Sequence, residues 1–252
     1  WARGGTSVAV HSTGNISAGL GILAGTWSPS GVAGPVTVYS RGNITAISGR
    51  GISAGPGTGS SSIVSIGNIT SSDDAIGTSG GNMSVTSTGN LVSTAGDGIY
   101  ASGRAITVIS NKDHGSYAVV GKTSGIYARG FGGATIESTG NVTATDGTAI
   151  IGGTRYTFLG DEVRITSTGG TLSGKTGGIT ANSATAAITV NNSSYVTSQS
   201  GGGIEVRQAI GWPELGGDVS VSNSGSIRSH SKGVYVFGTG AASVSTTGSS
   251  IT

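Results

Sequence analysis

The chain has 252 residues, of which 49 are glycine, whereas only 10% are charged and 5% are aromatic. Disordered linkers share such a composition, but 35% of the residues are hydrophobic and they recur at regular places, so we exclude disorder. The 13 basic residues are scattered and the formal net charge is only +2, which argues against nucleic acid as a partner.

Several kinds of site and segment lack the residues that would form them. Cysteine is absent, which excludes disulfides and thiolate chemistry, and the three histidines lie far apart, so we expect no cofactor. No apolar run reaches the roughly 18 residues of a transmembrane helix, so we expect no membrane insertion by this segment. The chain opens and stops within a repeated pattern, which predicts a single domain over 1–252 that is a fragment of a longer protein.

A nine-residue unit recurs along the whole chain and forms the first element of each repeat. Its clearest copy is VAVHSTGNI, from Val8 to Ile16, and close copies begin at residues 36, 83, 134 and 163. Weaker copies begin at residues 61, 106, 188, 219 and 242. The turn positions of these copies, from Gly14 to Gly248, are about 26 residues apart on average. The repeat therefore predicts ten coils, of which the first and last are incomplete.

A second apolar element, usually G-I-x-A, follows the turn in each coil. Two residues after its leading residue the chain often has alanine, which is small enough for a narrow interior. The leading residues are Ile22, Ile52, Ile76, Ile99, Ile126, Ile150, Ile179, Ile204 and Val234.

Both elements alternate apolar and polar residues, which predicts β-strands and excludes helices. In the first element Val8 and Val10 share one face, and Ala9 and His11 share the other. A single strand cannot bury its apolar face alone, but coils stacked about 4.8 Å apart turn each position into a buried ladder. In the turns we expect Asn15 and its equivalents to hydrogen-bond through their amides from coil to coil. The predicted fold is all-β, a parallel β-helix (solenoid) of about ten coils.

The unit φ-x-V-x-S-T-G-N-I followed by G-I-x-A resembles the passenger repeats of bacterial autotransporters (type V secretion), over essentially the whole chain. The resemblance implies a right-handed parallel β-helix that is exported through an outer-membrane barrel and then displayed at the cell surface or released. It also implies a role in adhesion, aggregation or biofilm formation. The GDSGS-type motif of the serine-protease subgroup is absent, so the resemblance does not extend to that subgroup.

Three insertions follow the second element, near residues 26–35, 153–162 and 207–218, and we expect them to project from one edge of the solenoid. Large aromatic residues on loops over a rigid scaffold are a common binding arrangement. Alternatively, these residues fold back and cover the glycine-rich wall. The aromatic residues concerned are Trp27, Tyr156, Phe158 and Trp212.

The position directly after each leading residue is expected to face outward. In three adjacent coils it holds Tyr100, Tyr127 and Ile151, which predicts an exposed aromatic strip. Such a strip can stack on sugar rings or bind a protein partner, because a phenol ring offers an apolar face and a polar tip. The alternative is cross-coil stacking that only stabilises the sheet.

Asp74 and Asp97 form the one carboxylate pair that the repeat brings together. Each lies two residues before a leading isoleucine, so the two are expected to stack about 5 Å apart in a turn. We expect a solvated pair there, with a weak cation site as the alternative. Glycosidic chemistry needs carboxylates that converge in a cleft, so a catalytic role is disfavoured.

We therefore expect a non-catalytic scaffold or adhesin rod at the bacterial cell surface or in the medium. Its expected partner is a glycan or protein of the host surface, a sister cell or a matrix. A self-associating filament is the alternative, because the ends of a parallel β-helix expose unpaired strand edges. A polysaccharide-processing enzyme is a third hypothesis and is disfavoured by the small number of acidic residues, 11 in all.

Overall fold

The chain forms an all-β parallel solenoid of about nine complete coils with about 25 residues in each, which confirms the predicted fold class. The computed structural model describes residues 1–26, 33–55, 57–111, 117–154, 162–208, 216–247 and 250–252. Within these ranges there is no helix long and apolar enough to cross a membrane.

The strands, numbered in chain order, belong to three parallel sheets that run along the solenoid. Sheet one contains β1 (Ala2–Gly4), β4 (Ile22–Thr26), β7 (Ile52–Gly55), β10 (Ile76–Gly80), β13 (Ile99–Gly103), β16 (Ser124–Gly130), β19 (Thr148–Thr154), β22 (Gly177–Ser183), β25 (Gly202–Gln208) and β28 (Val234–Phe237). Sheet two contains β2 (Val8–Ser12), β5 (Val36–Arg41), β8 (Ser61–Ile66), β11 (Met83–Thr88), β14 (Ile106–Ser110), β17 (Ala134–Thr139), β20 (Glu162–Thr168), β23 (Ala187–Asn192), β26 (Val219–Asn223) and β29 (Ala242–Thr246). Sheet three contains β3 (Ile16–Ala18), β6 (Ile44–Ala46), β9 (Ile69–Ser71), β12 (Leu91–Ser93), β15 (Ala118–Gly121), β18 (Asn141–Ala144), β21 (Thr171–Gly174), β24 (Tyr195–Ser198) and β27 (Ile227–Ser229).

The register between coils follows the sequence repeat residue by residue. Val10 pairs with Val38 in sheet two, and Ile99 pairs with Ile76 on one side and Ile126 on the other in sheet one. Equivalent positions therefore form ladders, meaning rows of residues that lie over one another in successive coils. Both predicted apolar elements are confirmed as strands by this pairing.

The third sheet is a feature that the sequence did not predict. Its strands are short, and they begin at the apolar residue that follows the glycine–asparagine turn, such as Ile16, Ile44 and Leu91. The sequence repeat places that residue at the end of the first element. Because the alternating pattern lasts only about three residues here, it gives a weak strand signal. Each coil consequently has three walls around its core.

The core consists of ladders of inward-facing Ile, Val, Leu and Ala. Burial in a ladder comes from the coils above and below, as two members of one ladder show. Val221 has a neighbour on both sides and is 1% exposed, whereas Val244, its partner in β29, is 51% exposed. Full burial of such an aliphatic side chain is worth about 1.5–3 kcal/mol, so most of the stabilisation of a coil comes from its neighbours.

The asparagines of the turns do connect successive coils, but not by amide-to-amide hydrogen bonds as we predicted. The Oδ1 atom of Asn15 accepts a hydrogen bond from the backbone N–H of Asn43 at 2.8 Å, and Asn43 repeats this with the N–H of Asn68 at 3.0 Å. The backbone N–H is the better-placed donor because the turn exposes it, unpaired, one coil away. Gly67 fits this turn because its φ of +127° places a hydrogen where a Cβ would meet Gly42 O.

An amide-to-amide bond occurs instead inside the solenoid. Asn192 and Asn223 end β23 and β26 on the interior side, and Asn192 Nδ2 donates to Asn223 Oδ1 at 2.7 Å. Each amide also donates to the backbone carbonyl two residues later, to Ser194 O at 2.9 Å and to Gly225 O at 2.6 Å. These bonds satisfy side chains that are almost fully buried.

If burial by neighbouring coils supplies the stability, Ile126→Ala will lower the free energy of unfolding by about 2–5 kcal/mol, because it empties a fully buried position. Ile109→Ala removes the same atoms from the outer face of sheet two and should cost less than about 1 kcal/mol. Urea unfolding followed by circular dichroism measures both. Equal losses would contradict the assignment of inner and outer faces.

Candidate functional site

The predicted strip of Tyr100, Tyr127 and Ile151 lies on the outer face of sheet one. Tyr100 pairs with Tyr127, and Tyr127 pairs with Ile151, so the predicted adjacency is confirmed. The two phenol rings are stacked, with their centroids 5.3 Å apart and their planes 7° from parallel. All three side chains are partly buried, whereas we had expected them to be exposed.

Arg50 extends the strip on the other side of Tyr100. Its guanidinium carbon lies 5.9 Å from the centroid of the Tyr100 ring. The side chain crosses the intervening coil at Gly77, where an added Cβ would lie 3.0 Å from Arg50 Cδ. Gly77 is the ladder neighbour of Tyr100, so the missing side chain opens the path for the arginine. The two faces of the Tyr100 ring are thus covered by a guanidinium and by another ring.

This arrangement determines what a ligand can touch. Stacking along the solenoid turns the ring faces of Tyr100 toward its neighbours, so a ligand meets its edge and hydroxyl group. Parallel stacking also fixes the ring positions before any ligand arrives, which reduces the entropy lost on binding.

Asp74 and Asp97 stack in adjacent coils as predicted, but they are not solvated. Their ladder position follows from the pairing of Ile76 with Ile99, two residues further on. Asp74 is 5% exposed and Asp97 is 7% exposed, so the expectation of a solvated pair was wrong. The short turn lies against the sheet because the backbone of each coil hydrogen-bonds to the next at this place.

The carboxylates act like the asparagines of the other turn. Asp74 Oδ1 accepts a hydrogen bond from the Asp97 N–H at 2.9 Å, and Asp97 in turn accepts from the N–H and hydroxyl of Ser124. Asp74 Oδ2 lies 3.0 Å from Arg50 Nη2, so this buried charge is paired. Asp97 Oδ1 has no hydrogen-bond partner among the described residues.

The acidic ladder and the aromatic strip belong to one surface. In sheet one, the residue two positions before the leading residue lies beside the residue directly after it. Gly202 and Glu205 occupy these positions around Ile204 in β25, and a Cβ added at Gly202 would lie 2.7 Å from Glu205 Oε1. Asp97 and Tyr100 occupy these same two positions in β13 and the turn before it. We name the group Arg50, Asp74, Asp97, Tyr100, Tyr127 and Ile151 the sheet-one surface.

Burial changes the acidity of both aspartates. Desolvation, together with the negative charge of Asp74, raises the pKa of Asp97 to about 6 against the opposing effect of the Ser124 hydrogen bonds. The pKa of Asp74 is also raised by burial, against the hydrogen bond from Asp97 and the positive charge of Arg50. Asp97 therefore changes charge close to neutral pH.

The aspartate pair offers little to a metal ion. Asp74 already uses one oxygen for a backbone N–H and the other for Arg50. Within the part of the chain that the structure describes, no group of three or more His, Cys, Asp or Glu side chains could hold a metal ion. We therefore do not assign a metal to Asp74 and Asp97.

The predicted loop aromatics Trp27, Tyr156, Phe158 and Trp212 lie outside the described residues. The strands that flank their segments are described, and each segment joins a strand of sheet one to the next strand of sheet two. The pairs of strands are β4 and β5, β19 and β20, and β25 and β26.

Sequence reasoning missed Arg50 and Ser124 as members of this site. The sequence does contain a signal for Arg50: Gly77 interrupts a ladder of larger residues next to Tyr100, which leaves space for a long side chain from the coil before. Ser124 carries none, since serine is frequent throughout the chain. No protein-family model, curated protein or solved structure matches the chain, so the site is interpreted from its own geometry.

The raised pKa of Asp97 predicts an unusual pH dependence of stability. The folded protein holds this proton more tightly than the unfolded chain, whose aspartate titrates near its ordinary value of 3.8. The contribution of Asp97 to stability is therefore largest at low pH, falls as pH rises from about 4 to about 6, and stays low above that. Asp97→Asn keeps an oxygen for the Ser124 N–H and removes the charge. Relative to wild type it should gain up to about 3 kcal/mol between pH 4 and pH 7.

Urea unfolding at a series of pH values measures this gain. Asp146→Asn is the matched control, because the Asp146 side chain is half exposed and lies 3.4 Å from Lys175 Nζ. An Asp97→Asn profile parallel to that of wild type would show that Asp97 does not titrate in this range.

Proposed function

We propose that this chain is a non-catalytic scaffold of a cell-surface or secreted bacterial protein, of the autotransporter passenger type, and that it binds its partner through the sheet-one surface. The observation that carries the proposal is the stack of Tyr100 on Tyr127, which is held on a rigid sheet and faces outward. Stacked rings on a scaffold of fixed spacing form a preorganised contact surface.

The state of the acidic residues supports a binding role over a catalytic one. A glycosidase needs one carboxyl group to donate a proton and a second to act as base or nucleophile across a cleft. Asp74 is ion-paired with Arg50, and the free oxygen of Asp97 is buried beneath the surface. Asp74 connects the turn to the strip, because it accepts the Asp97 N–H and pairs with Arg50, which lies over the Tyr100 ring.

The expected partner is a glycan or a protein of a host surface, a sister cell or an extracellular matrix. The edges and hydroxyls of the two tyrosines, beside the apolar Ile151, suit a ligand that combines apolar patches with hydrogen-bonding groups. The parallel strands form a continuous surface along the solenoid, which suits an extended ligand.

The double variant Tyr100→Ala/Tyr127→Ala tests the proposal on an array of glycans and matrix proteins. We expect at least a tenfold loss of affinity for any partner that wild type binds, since two central aromatic contacts are removed. Surface plasmon resonance with the partner found on the array measures the loss.

Tyr39→Ala is the matched control, because Tyr39 lies on the outer face of sheet two, where its ring contacts His11 with centroids 4.8 Å apart. Unchanged binding by the double variant would eliminate the sheet-one surface as the site. Light scattering of wild type without ligand tests the rival filament: concentration-dependent fibres that persist in the double variant would favour self-association.

A further inference from the structure

A groove on the outer face of sheet three, far along the chain from the aromatic strip, carries a different set of side chains. It is open to solvent, has a volume of about 710 Å³, and lies across β24, β27, the turns that follow them and Thr252. Its lining includes Tyr195, Thr197, Gln199, Arg228 and His230.

The strand alternation explains why these residues line the groove. Val196 and Ser198 of β24 are buried, so Tyr195, Thr197 and Gln199 point outward. Ile227 of β27 is buried in the same way, and the next outward positions are Arg228 and His230. Thr197 pairs directly with Arg228, which places polar groups from the two coils side by side.

Arg228 is a cation without a counter-charge. It is exposed and makes no ion pair with any residue that the structure describes. Its guanidinium offers planar, paired N–H donors that match a carboxylate or sulfate group. Tyr195 is 40% exposed and brings a ring into the same groove. Thr197 and Gln199 add hydroxyl and amide groups that can bond to sugar hydroxyls.

The turn after β27 also carries a positive charge, which is directed to sheet one. Lys232 follows His230 by two residues, and its Nζ lies 3.8 Å from the centroid of the Tyr235 ring. Arg207 contacts the same ring at 5.1 Å and is paired with Glu205 at 3.3 Å. The charges of Lys232 and Arg207 are thus held at Tyr235 on sheet one, and Arg228 is the arginine that lines the groove.

The geometry points to this groove as a binding site for an acidic polysaccharide, with Arg228 holding a carboxylate or sulfate group of the chain and Tyr195 contacting a sugar ring. The site is separate from the sheet-one surface and does not depend on the function proposed for that surface.

A peptide fits the groove less well than a glycan. An extended peptide usually binds a sheet by adding its backbone to a free strand edge. The edge of β27 is already occupied, because Ser229 N–H donates to Thr252 O at 3.0 Å and Thr252 N–H donates to Ile227 O at 3.0 Å. The groove therefore offers side chains alone, which suits a ligand that carries its own hydroxyl and anionic groups.

Calorimetric titration of the full chain with polygalacturonate oligomers, sulfated dextran oligomers and neutral dextran tests the site. The titrations are made at about 0.15 M salt, where charges more than about 8 Å apart are largely screened. We expect binding of at least one acidic polymer and none of neutral dextran, and the two acidic polymers distinguish carboxylate from sulfate recognition. Arg228→Gln should weaken binding at least tenfold.

Arg41→Gln is the matched control, since Arg41 is exposed on sheet two and also makes no ion pair with a described residue. It should change the affinity less than twofold. Equal losses in both variants would show that only net charge matters and would overturn the site, as would a failure of both acidic polymers to bind. Binding of poly-glutamate as strong as that of the polysaccharides, and lost in Arg228→Gln, would overturn the glycan assignment in favour of an acidic peptide.

The sheet-one variant Tyr100→Ala/Tyr127→Ala separates the two surfaces in the same titration. It should bind the acidic polymer with the affinity of wild type. The Arg228→Gln variant should still bind the partner of the sheet-one surface. A loss of acidic-polymer binding in the tyrosine variant would place that ligand on sheet one and would overturn the groove.

Discussion

The structure depends on parallel hydrogen bonding between backbones that lie one coil apart. Because the strands of successive coils are about 4.8 Å apart, every position of the repeat is stacked on its own equivalents. An apolar residue is most completely buried when the coils on both sides supply its neighbours, as Val221 and Val244 show within one ladder. Stability, burial and surface pattern all follow from this one spacing.

The same spacing explains how buried polar groups are satisfied. Asn15 and Asp74 occupy different turns, yet each accepts a hydrogen bond from a backbone N–H of the next coil. In the interior, the side-chain amides of Asn192 and Asn223 lie one coil apart and hydrogen-bond to each other. A side chain that bonds to the next coil is stabilised only if that coil keeps its register, so these polar ladders help to fix the stacking. Among the described residues, Asp97, Asn111 and three serines each keep one buried polar atom without a hydrogen-bond partner, and burial raises the pKa of Asp97 to about 6.

Stacking also shapes the two surfaces to which we assign binding. A solenoid displays equivalent positions in straight rows. One residue of a suitable type at the same position in each coil is therefore enough to create a strip or a groove. Tyr100 and Tyr127 form such a row on sheet one, and Thr197 and Arg228 form part of another on sheet three. The strands beneath each row pair with the strands of the neighbouring coils, which keeps the side chains at fixed spacing and limits the entropy that binding would cost.

The sequence by itself determined which residues lie over one another. The repeat placed Val10 over Val38 and Tyr100 beside Tyr127, because a periodic pattern specifies the register wherever apolar residues must all face one core. The tertiary structure decided how side chains reach from coil to coil. It turned the short segments at Ile16 and its equivalents into a third sheet, and it buried Asp74 and Asp97. It also brought Arg50 across Gly77 to Tyr100. These features depend on the path of the turns and on contacts between residues more than 20 positions apart, which no local pattern encodes.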